Sequence, residues 1–361
     1  MARDVGRRRR VVAFGRNPAL ALKVIYCLST VAEVHLCFHG GNNYAARSRH
    51  VSRAYRVDLD RDSPREVLAR LNGIVRDCRA EVVFPTDMET TAYLHALRLE
   101  VDGAAVVPTV GGAVLKEIHN KWSFASRLQA AGLATPKTTL LANRGDLRSE
   151  LVAQVGFPVV VKPLDCESSH GVVRFNSFAE LAKYVESGRR YSEPPLILQS
   201  YAPGRDVDIS VMAQGGRILA SACQEWTPHG TLRFSDDSEM LALAAAIVEL
   251  FEFSGPAHFD MRRDPETGRL VVLECNPRYW YTIPAALWSG LNFAEVGIRV
   301  ALGLSIDGMG PAVGEYRLPG DVVRALAHPR RLLAMSTSNW RGFLQPVRDP
   351  VPQLYQLFTS S

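Results

Sequence analysis

The segment His258–Tyr281, HFDMRRDPETGRLVVLECNPRYWY, carries more information than any other part of this chain. Its pattern predicts two strands joined by a turn: apolar residues around Phe259–Met261, the breaker cluster Asp264-Pro265-Glu266-Thr267-Gly268, then the apolar run Leu270–Leu273. Residues two apart on a strand share a face, so Glu274 and Asn276 point the same way, and a paired strand brings Asp260 beside them. Two carboxylates and an amide oxygen are hard ligands, the set that suits Mg²⁺ when the ion also holds substrate phosphates. Arg278 adds a permanent positive charge with fork geometry for an oxyanion. Carboxylates at the end of an apolar strand are costly without a partner, and a metal removes that cost. An exposed hairpin end with scattered charge explains any one of these residues singly, but explains the set at this spacing poorly.

Upstream, Lys162 ends the apolar strand of Val159, Val160 and Val161, and Pro163 turns the chain into a loop containing Ser168-Ser169-His170-Gly171. A lysine there reaches a phosphate, and small residues let backbone N–H groups approach phosphate oxygens closely. The same lysine also suits a strand end from which it snorkels to solvent, and Lys162 alone does not separate the two. The segment Leu196–Asp206, LILQSYAPGRD, taken alone is only a strand and a turn.

Residues 11 to about 110 alternate strand and helix signals, with strands expected at Val11–Phe14, Val34–Phe38, Arg56–Leu59 and Glu81–Phe84 and helices following Pro18 and Pro64. Such alternation implies a parallel sheet covered on both faces. No GxGxxG follows Gly15 and no GxxxxGK[ST] occurs, which disfavours a dinucleotide fingerprint and a P-loop. Asp87 and Glu89 suit a helix N-terminus better than a site that receives an amine. Beyond Gly111, a helix is expected over Val114–Ala131, strands at Thr138–Leu141, Pro158–Lys162, Val172–Phe175 and Leu196–Tyr201, and an antiparallel pair at Asp206–Met212 and Ile218–Cys223. Thr282–Leu302 reads as helical, and the Pro- and Arg-rich remainder has weak periodicity.

At 361 residues the chain exceeds one ordinary core, and 47% hydrophobic with 22% charged residues is the balance of a soluble globular protein. The net charge of +5 is modest, and Arg7–Arg10 reads as a solvated flank, so neither a nucleic-acid nor a membrane partner is expected. Nine histidines show no HxxxH or HExxH spacing, so zinc is not indicated. Six scattered cysteines without CxxC suit buried, reduced thiols, and no signal-peptide layout is recognised, so the expected location is cytoplasmic.

Four motifs in order resemble the ATP-grasp superfamily, most closely its carboxylate–amine ligase and carbamoyl-phosphate-synthase-like branch: HNKWSFASRLQAAGLATP, VVVKP with its small-residue loop, LQSYAPGRDVDISV, and FDMR with LECNPR. The likeness covers roughly residues 111–305. It implies a fold both α/β and α+β, with a Rossmann-like pre-grasp domain (1–110) before a two-lobed ATP-grasp domain (111–305). The small lid lobe would span about 133–199 and the large lobe about 200–305, followed by a C-terminal extension (306–361).

By that resemblance Lys121 and Lys162 hold ATP phosphates, and Ser168, Ser169, His170 and Gly171 form the loop over the β- and γ-phosphates. Gln199 stands where many members carry a glutamate, Ser200, Tyr201 and Ala202 present backbone to adenine, and Asp206 binds the ribose. Asp260, Glu274 and Asn276 are the metal ligands, and Arg278, with Lys162, is catalytic. Asp260 is shorter than the commoner glutamate or glutamine, and Glu225-Trp226 replaces residues that are often basic or polar. The implied activity is ATP- and Mg²⁺-dependent, with Mn²⁺ as an alternative ion. A small carboxylic acid, such as an amino acid, is activated as an acyl-phosphate and joined to an amine, releasing ADP and phosphate. A non-catalytic ATP-binding sensor or scaffold and a kinase-like enzyme are the alternatives. The oligomeric state is left open, a homodimer being suggested by analogy alone. Tyr279-Trp280-Tyr281 either wall an acceptor pocket or pack under the next helix, and the residues leave these two equal.

Overall fold

The computed structural model describes residues 8–41, 43–166, 170–227, 230–317 and 337–359. Ser168, Ser169 and the stretch 318–336 of the Pro/Arg-rich tail lie outside the described residues.

Five short strands form the first sheet: β1 (Arg9–Gly15), β2 (Ala32–His39), β3 (Val51–Val57), β4 (Val82–Pro85) and β5 (Ala105–Val106). They are all parallel, in the order β3-β2-β1-β4-β5. Alternation on β1 sends Val11 and Ala13 into one core and Val12 and Phe14 into another, as expected of a sheet covered on both faces. The third strand runs over Val51–Val57 rather than Arg56–Leu59, because its outer residues are polar and its edge position demands no apolar run. The helix Pro18–Leu28 opens on Asn17, whose side-chain oxygen accepts from the N–H groups of Ala19 and Leu20.

A second sheet is antiparallel and four-stranded: β6 (Thr138–Leu141), β7 (Val159–Pro163), β8 (Val173–Phe175) and β9 (Leu196–Ser200), ordered β6-β9-β7-β8. The third sheet contains β10 (Arg205–Gln214), β11 (Arg217–Trp226), β12 (Thr231–Phe234), β13 (Gly255–Arg263), β14 (Leu270–Asn276) and β15 (Gly314–Arg317). It is ordered β14-β13-β10-β11-β12-β15, and the helix Ser238–Leu250 packs on it through Met240, Ala244, Ile247 and Val248.

Two expected helices are each broken in two. Gly112–His119 and Lys121–Ala130 are separated at Asn120, which takes extended dihedrals and accepts from Ser123 N at 3.0 Å. An asparagine gains more as an N-cap than inside a helix, and the break puts Lys121 at a helix start, where its N–H donates to Leu164 O at 2.7 Å. Ile283–Trp288 and Phe293–Ala301 are separated at Gly290, whose φ of +120° and proximity to Pro311 O leave no room for a side chain.

The tail is more ordered than its weak periodicity suggests. The helices Thr337–Arg348 and Pro350–Thr359 flank the buried Asp349, which accepts from Ser48 Oγ (2.6 Å) and Arg49 N (3.0 Å). Arg47 lies 4.4 Å from the Tyr355 ring centroid, so this end of the chain packs on the turn Tyr44–Arg47. Among the described residues, no helix is long and apolar enough to cross a membrane.

Candidate active site

Strand register builds the site. Gln224, Asp208, Asp260 and Glu274 are direct cross-strand neighbours on β11, β10, β13 and β14, so four polar side chains form one row. The adjacent row on that face holds Ser210, His258 and Asn276. A bulge between Asp260 and Met261 shifts the register of this pair by one residue.

The three expected metal ligands converge. Asn276 Nδ2 donates to Asp260 Oδ2 at 3.1 Å, and Asp260 lies opposite Glu274. Arg278 is buried, donating to Asn276 Oδ1 at 3.2 Å and to Tyr279 O at 3.0 Å. From the other side comes Lys121, with Nζ 3.3 Å from Glu274 Oε2 and 2.6 Å from Cys166 O. Lys162 is also buried at the end of β7, in the field of Glu274 and Asp260. Burial pushes its ammonium below the ordinary lysine value, with the two carboxylates opposing that shift.

Burial raises Glu274, opposed by Lys121, and raises Asp208 to about 7. Burial works against ionised Asp260 as well, but the His258 hydrogen bond and charge hold it below its ordinary value. His258 is raised despite complete burial, because Asp260 and Asp208 favour its charged form. His258 Nε2 faces Asp260 Oδ1 at 3.3 Å and its Nδ1 meets Ser210 Oγ at 2.9 Å.

Two cavities meet at Lys162 and Asp206. The first, about 390 Å³, is lined by Lys121, Lys162, Asp208, Asp260, Glu274 and neighbours. The second, about 280 Å³, is lined by Gln199, Ser200, Tyr201 and Ala202. Asp206 sits on both walls and pairs with Arg262 at 2.9 Å. The Gln199 side chain turns away to donate to Thr138 Oγ1 at 3.0 Å, and the N–H groups of Ser200 and Tyr201 bond Lys137 O and Pro158 O. Any backbone reading of a base there falls to Ala202 and the linker carbonyls. The Tyr201 ring lies 4.0 Å from the Arg174 guanidinium.

Readings that the residues left open are decided by the packing. Tyr279 and Trp280 are core residues, with ring centroids 5.7 Å from Phe84 and 4.9 Å from Phe293 respectively, so they wall no pocket. Tyr281 is partly exposed and accepts from Asn17 Nδ2 at 3.0 Å. Asp87 caps the helix Met88–Leu97 and accepts from the N–H groups of Arg16 (2.6 Å) and Asn17 (3.0 Å), so it is committed. The His170 ring is exposed and stacks on Tyr191, with centroids 6.2 Å apart. At Gly171 a Cβ would meet Tyr191 Cβ at 2.6 Å, so glycine is required there for close packing within the chain. Asp208, Gln224 and His258 were not singled out. The period-two rule, extended from Asp206 to Asp208 and from Asp260 back to His258, is the signal that finds two of them.

Residues 192–318 match the family model described as "ATP-grasp in the biosynthetic pathway with Ter operon", and residues 128–236 match "D-ala D-ala ligase C-terminus". Together the two matches run over residues 128–318, and the first of them is to an ATP-grasp model. Its curated relatives include the arginine-specific carbamoyl phosphate synthase large chain of Lactiplantibacillus plantarum, 22% identical over 61% of this chain and 23% of that protein. The carbamoyl phosphate synthase large chain of Thermotoga maritima is 25% identical over 66% of this chain and 24% of that protein. The chain therefore spans about a quarter of the length of these relatives. Among solved structures, carboxyaminoimidazole ribonucleotide synthase from Aspergillus clavatus, complexed with ATP, superposes with a TM-score of 0.66. It is 16% identical and covers 89% of this chain and 86% of that one. The L-amino acid ligase of Bacillus licheniformis gives a TM-score of 0.59 at 17% identity, over 82% of this chain and 75% of that one. The fold shared with these structures thus extends over most of the chain.

Proposed function

We propose that the chain is an ATP-dependent ligase that activates a small carboxylic acid as an acyl-phosphate and joins it to an amine. The observation that carries this reading is the convergence of two buried lysines, Lys121 and Lys162, on the row Asp260–Glu274 with Asn276 beside it. Buried cations facing partly buried carboxylates around an open cavity fit a polyanion held through a divalent ion, because each charge set then meets its complement.

On this reading residues 1–110 are the Rossmann-like pre-grasp domain, 111–305 the ATP-grasp domain with its lid lobe at about 133–199, and 306–361 an extension. The base and ribose occupy the smaller cavity beside Gln199–Ala202 and Asp206, and the phosphates extend past Lys162 to Lys121. His170 and Gly171 belong to the loop over them. Asp260, Glu274 and Asn276 hold Mg²⁺, or Mn²⁺ in its place. When bound, the ion supplies positive charge to the phosphate oxygens.

An oxygen of the acid attacks the γ-phosphorus as its bond to the ADP oxygen breaks, giving acyl-phosphate and ADP. The amine nitrogen then attacks the acyl carbon, the carbon–oxygen bond to phosphate breaks, phosphate leaves, and the surplus ammonium proton passes to solvent. Lys162 offsets charge on the transferred group, and Arg278 holds the acyl-phosphate from the far side of Asn276. Arg278 also lines a cavity of about 390 Å³ with Arg16, Asn17 and Glu89, which supports a seat for the acid at the edge of the parallel sheet.

The experiment is a phosphate-release screen with ATP, Mg²⁺ or Mn²⁺, and pools of carboxylic acids and amines, followed by mass analysis. ADP and phosphate formed only when acid and amine are both present, with a condensed product, support the reading. A stable phosphorylated product formed without amine, or no nucleotide turnover with any pool, contradicts it.

A further inference from the structure

The floor of the larger cavity holds acceptors that the phosphate and metal roles leave unused. Its carboxylates can be matched one by one. Asp206 pairs with Arg262, Glu274 with Lys121, and Asp260 meets His258 and Asn276. Asp208 is left: among the described residues, the hydrogen bond its carboxylate receives is the one from Gln224 Nε2, at 3.2 Å. That bond also fixes the Gln224 amide, since the reverse orientation would set an oxygen against a carboxylate. The consequence is that Gln224 Oε1 is buried with no hydrogen-bond partner, on a residue only 3% exposed that lines the same cavity. A buried acceptor without a donor is costly, so this pair is arranged for something that brings N–H groups and positive charge.

A second divalent ion does not meet that need. Asp208, His258 and Asp260 lie close enough together to suggest one, their ligand atoms being within 4.8 Å of one another. Both imidazole nitrogens are committed, however: Nε2 faces the Asp260 carboxylate and Nδ1 is engaged with the Ser210 hydroxyl. No imidazole lone pair remains for a metal. An ammonium group, by contrast, offers several N–H donors at once, enough to serve Asp208 and Gln224 Oε1 together. Trp226, two residues beyond Gln224 on β11, shares its face and lines the cavity, with Thr282 also on the wall.

We propose that Asp208 and Gln224 form the ammonium-binding subsite for the amine acceptor, with Trp226 beside it. The register puts this subsite one strand from Asp260, so a bound amine sits beside the proposed metal ligands, where the γ-phosphoryl group is transferred. The identity of the amine as acceptor rests on the ligase reading, but binding can be measured without turnover.

The test titrates the full-length protein, with MgADP present, against methylammonium chloride by calorimetry. Saturable binding is expected, weakened about tenfold or more in Asp208→Asn, the loss of one charge-assisted hydrogen bond, and about threefold or more in Gln224→Met. Tetramethylammonium has the same charge without N–H groups and should fail to compete. No saturable methylammonium binding, unchanged affinity in Asp208→Asn, or equal competition by tetramethylammonium overturns the proposal. A crystal of the wild-type protein soaked with 2-bromoethylammonium gives a result independent of any variant's folding. A bromine peak beside Trp226 supports the subsite, and a peak elsewhere or a metal ion found between Asp208 and His258 overturns it. Methylammonium binding at this subsite with no acid- and amine-dependent phosphate release would leave the subsite standing and sink the ligase reading alone.

Discussion

Replacing Lys121 by methionine removes the ammonium that holds the helix Lys121–Ala130 against β14. The contact with Glu274 Oε2 is 3.3 Å, and the same Nζ donates to Cys166 O at 2.6 Å. Two unit charges at that separation attract by about 5 kcal/mol at an effective dielectric of about 20. Desolvation of both groups takes back part of this, and Glu274 remains about a quarter exposed, so the expected loss is about 2–3 kcal/mol at pH 8. The sign of the pH dependence follows from Glu274. Burial already raises its folded value above the ordinary 4.5, and loss of Lys121, which opposes that rise, raises it further. The folded variant then binds a proton that the unfolded chain has released, so its stability falls as pH rises through that window. Urea unfolding of Lys121→Met should therefore show a large deficit at pH 8 and a smaller one at pH 5. The double variant Lys121→Met with Glu274→Gln should recover part of the pH 8 loss, since no buried charge is left unpaired. A deficit below about 1 kcal/mol at pH 8, or an equal deficit at both pH values, would refute the argument.

Arg278→Ala should lower acid-dependent phosphate release by about 100-fold or more while ADP affinity, measured by calorimetry, changes only a few-fold, because Arg278 lies beyond Asn276 from the nucleotide cavities. Gly204→Ala should cost about 3 kcal/mol or more in urea unfolding, since φ is +111° and a Cβ would lie 2.1 Å from Arg263 O. Asp208→Asn should stabilise the ligand-free protein at pH 8. The folded carboxyl is raised to about 7 by burial, so the wild type loses stability as pH rises from 3.8 towards that value. The gain should be about 1–3 kcal/mol at pH 8 and smaller at pH 5; no gain at pH 8 would count against a costly buried charge at this position.

The parallel sheet and the hairpin of β13 and β14 were legible because both rest on local signals, a two-residue period and breaker clusters. The convergence of Asp260, Glu274 and Asn276 followed from the same period plus one assumption, that the two strands pair. Asn120 and Gly290 broke helices that apolar spacing alone had made continuous: capping and a close backbone approach are tertiary facts that a period does not encode. Tyr279 and Trp280 could not be placed from sequence because an aromatic run after a strand suits a pocket wall and a core equally well. Asp208 and Gln224 escaped notice for a different reason. Their partners sit on other strands, Asp260 being 52 positions from Asp208, so only the sheet register reveals the row.

A structure of the protein grown with Mg²⁺ and a non-hydrolysable ATP analogue tests the central claim most directly. The account predicts a base beside Ser200–Ala202, phosphates running past Lys162 to Lys121, and at least one Mg²⁺ bound by Asp260, Glu274 and Asn276. Triphosphate lodged outside these two cavities, or an ion held without those three side chains, would contradict it.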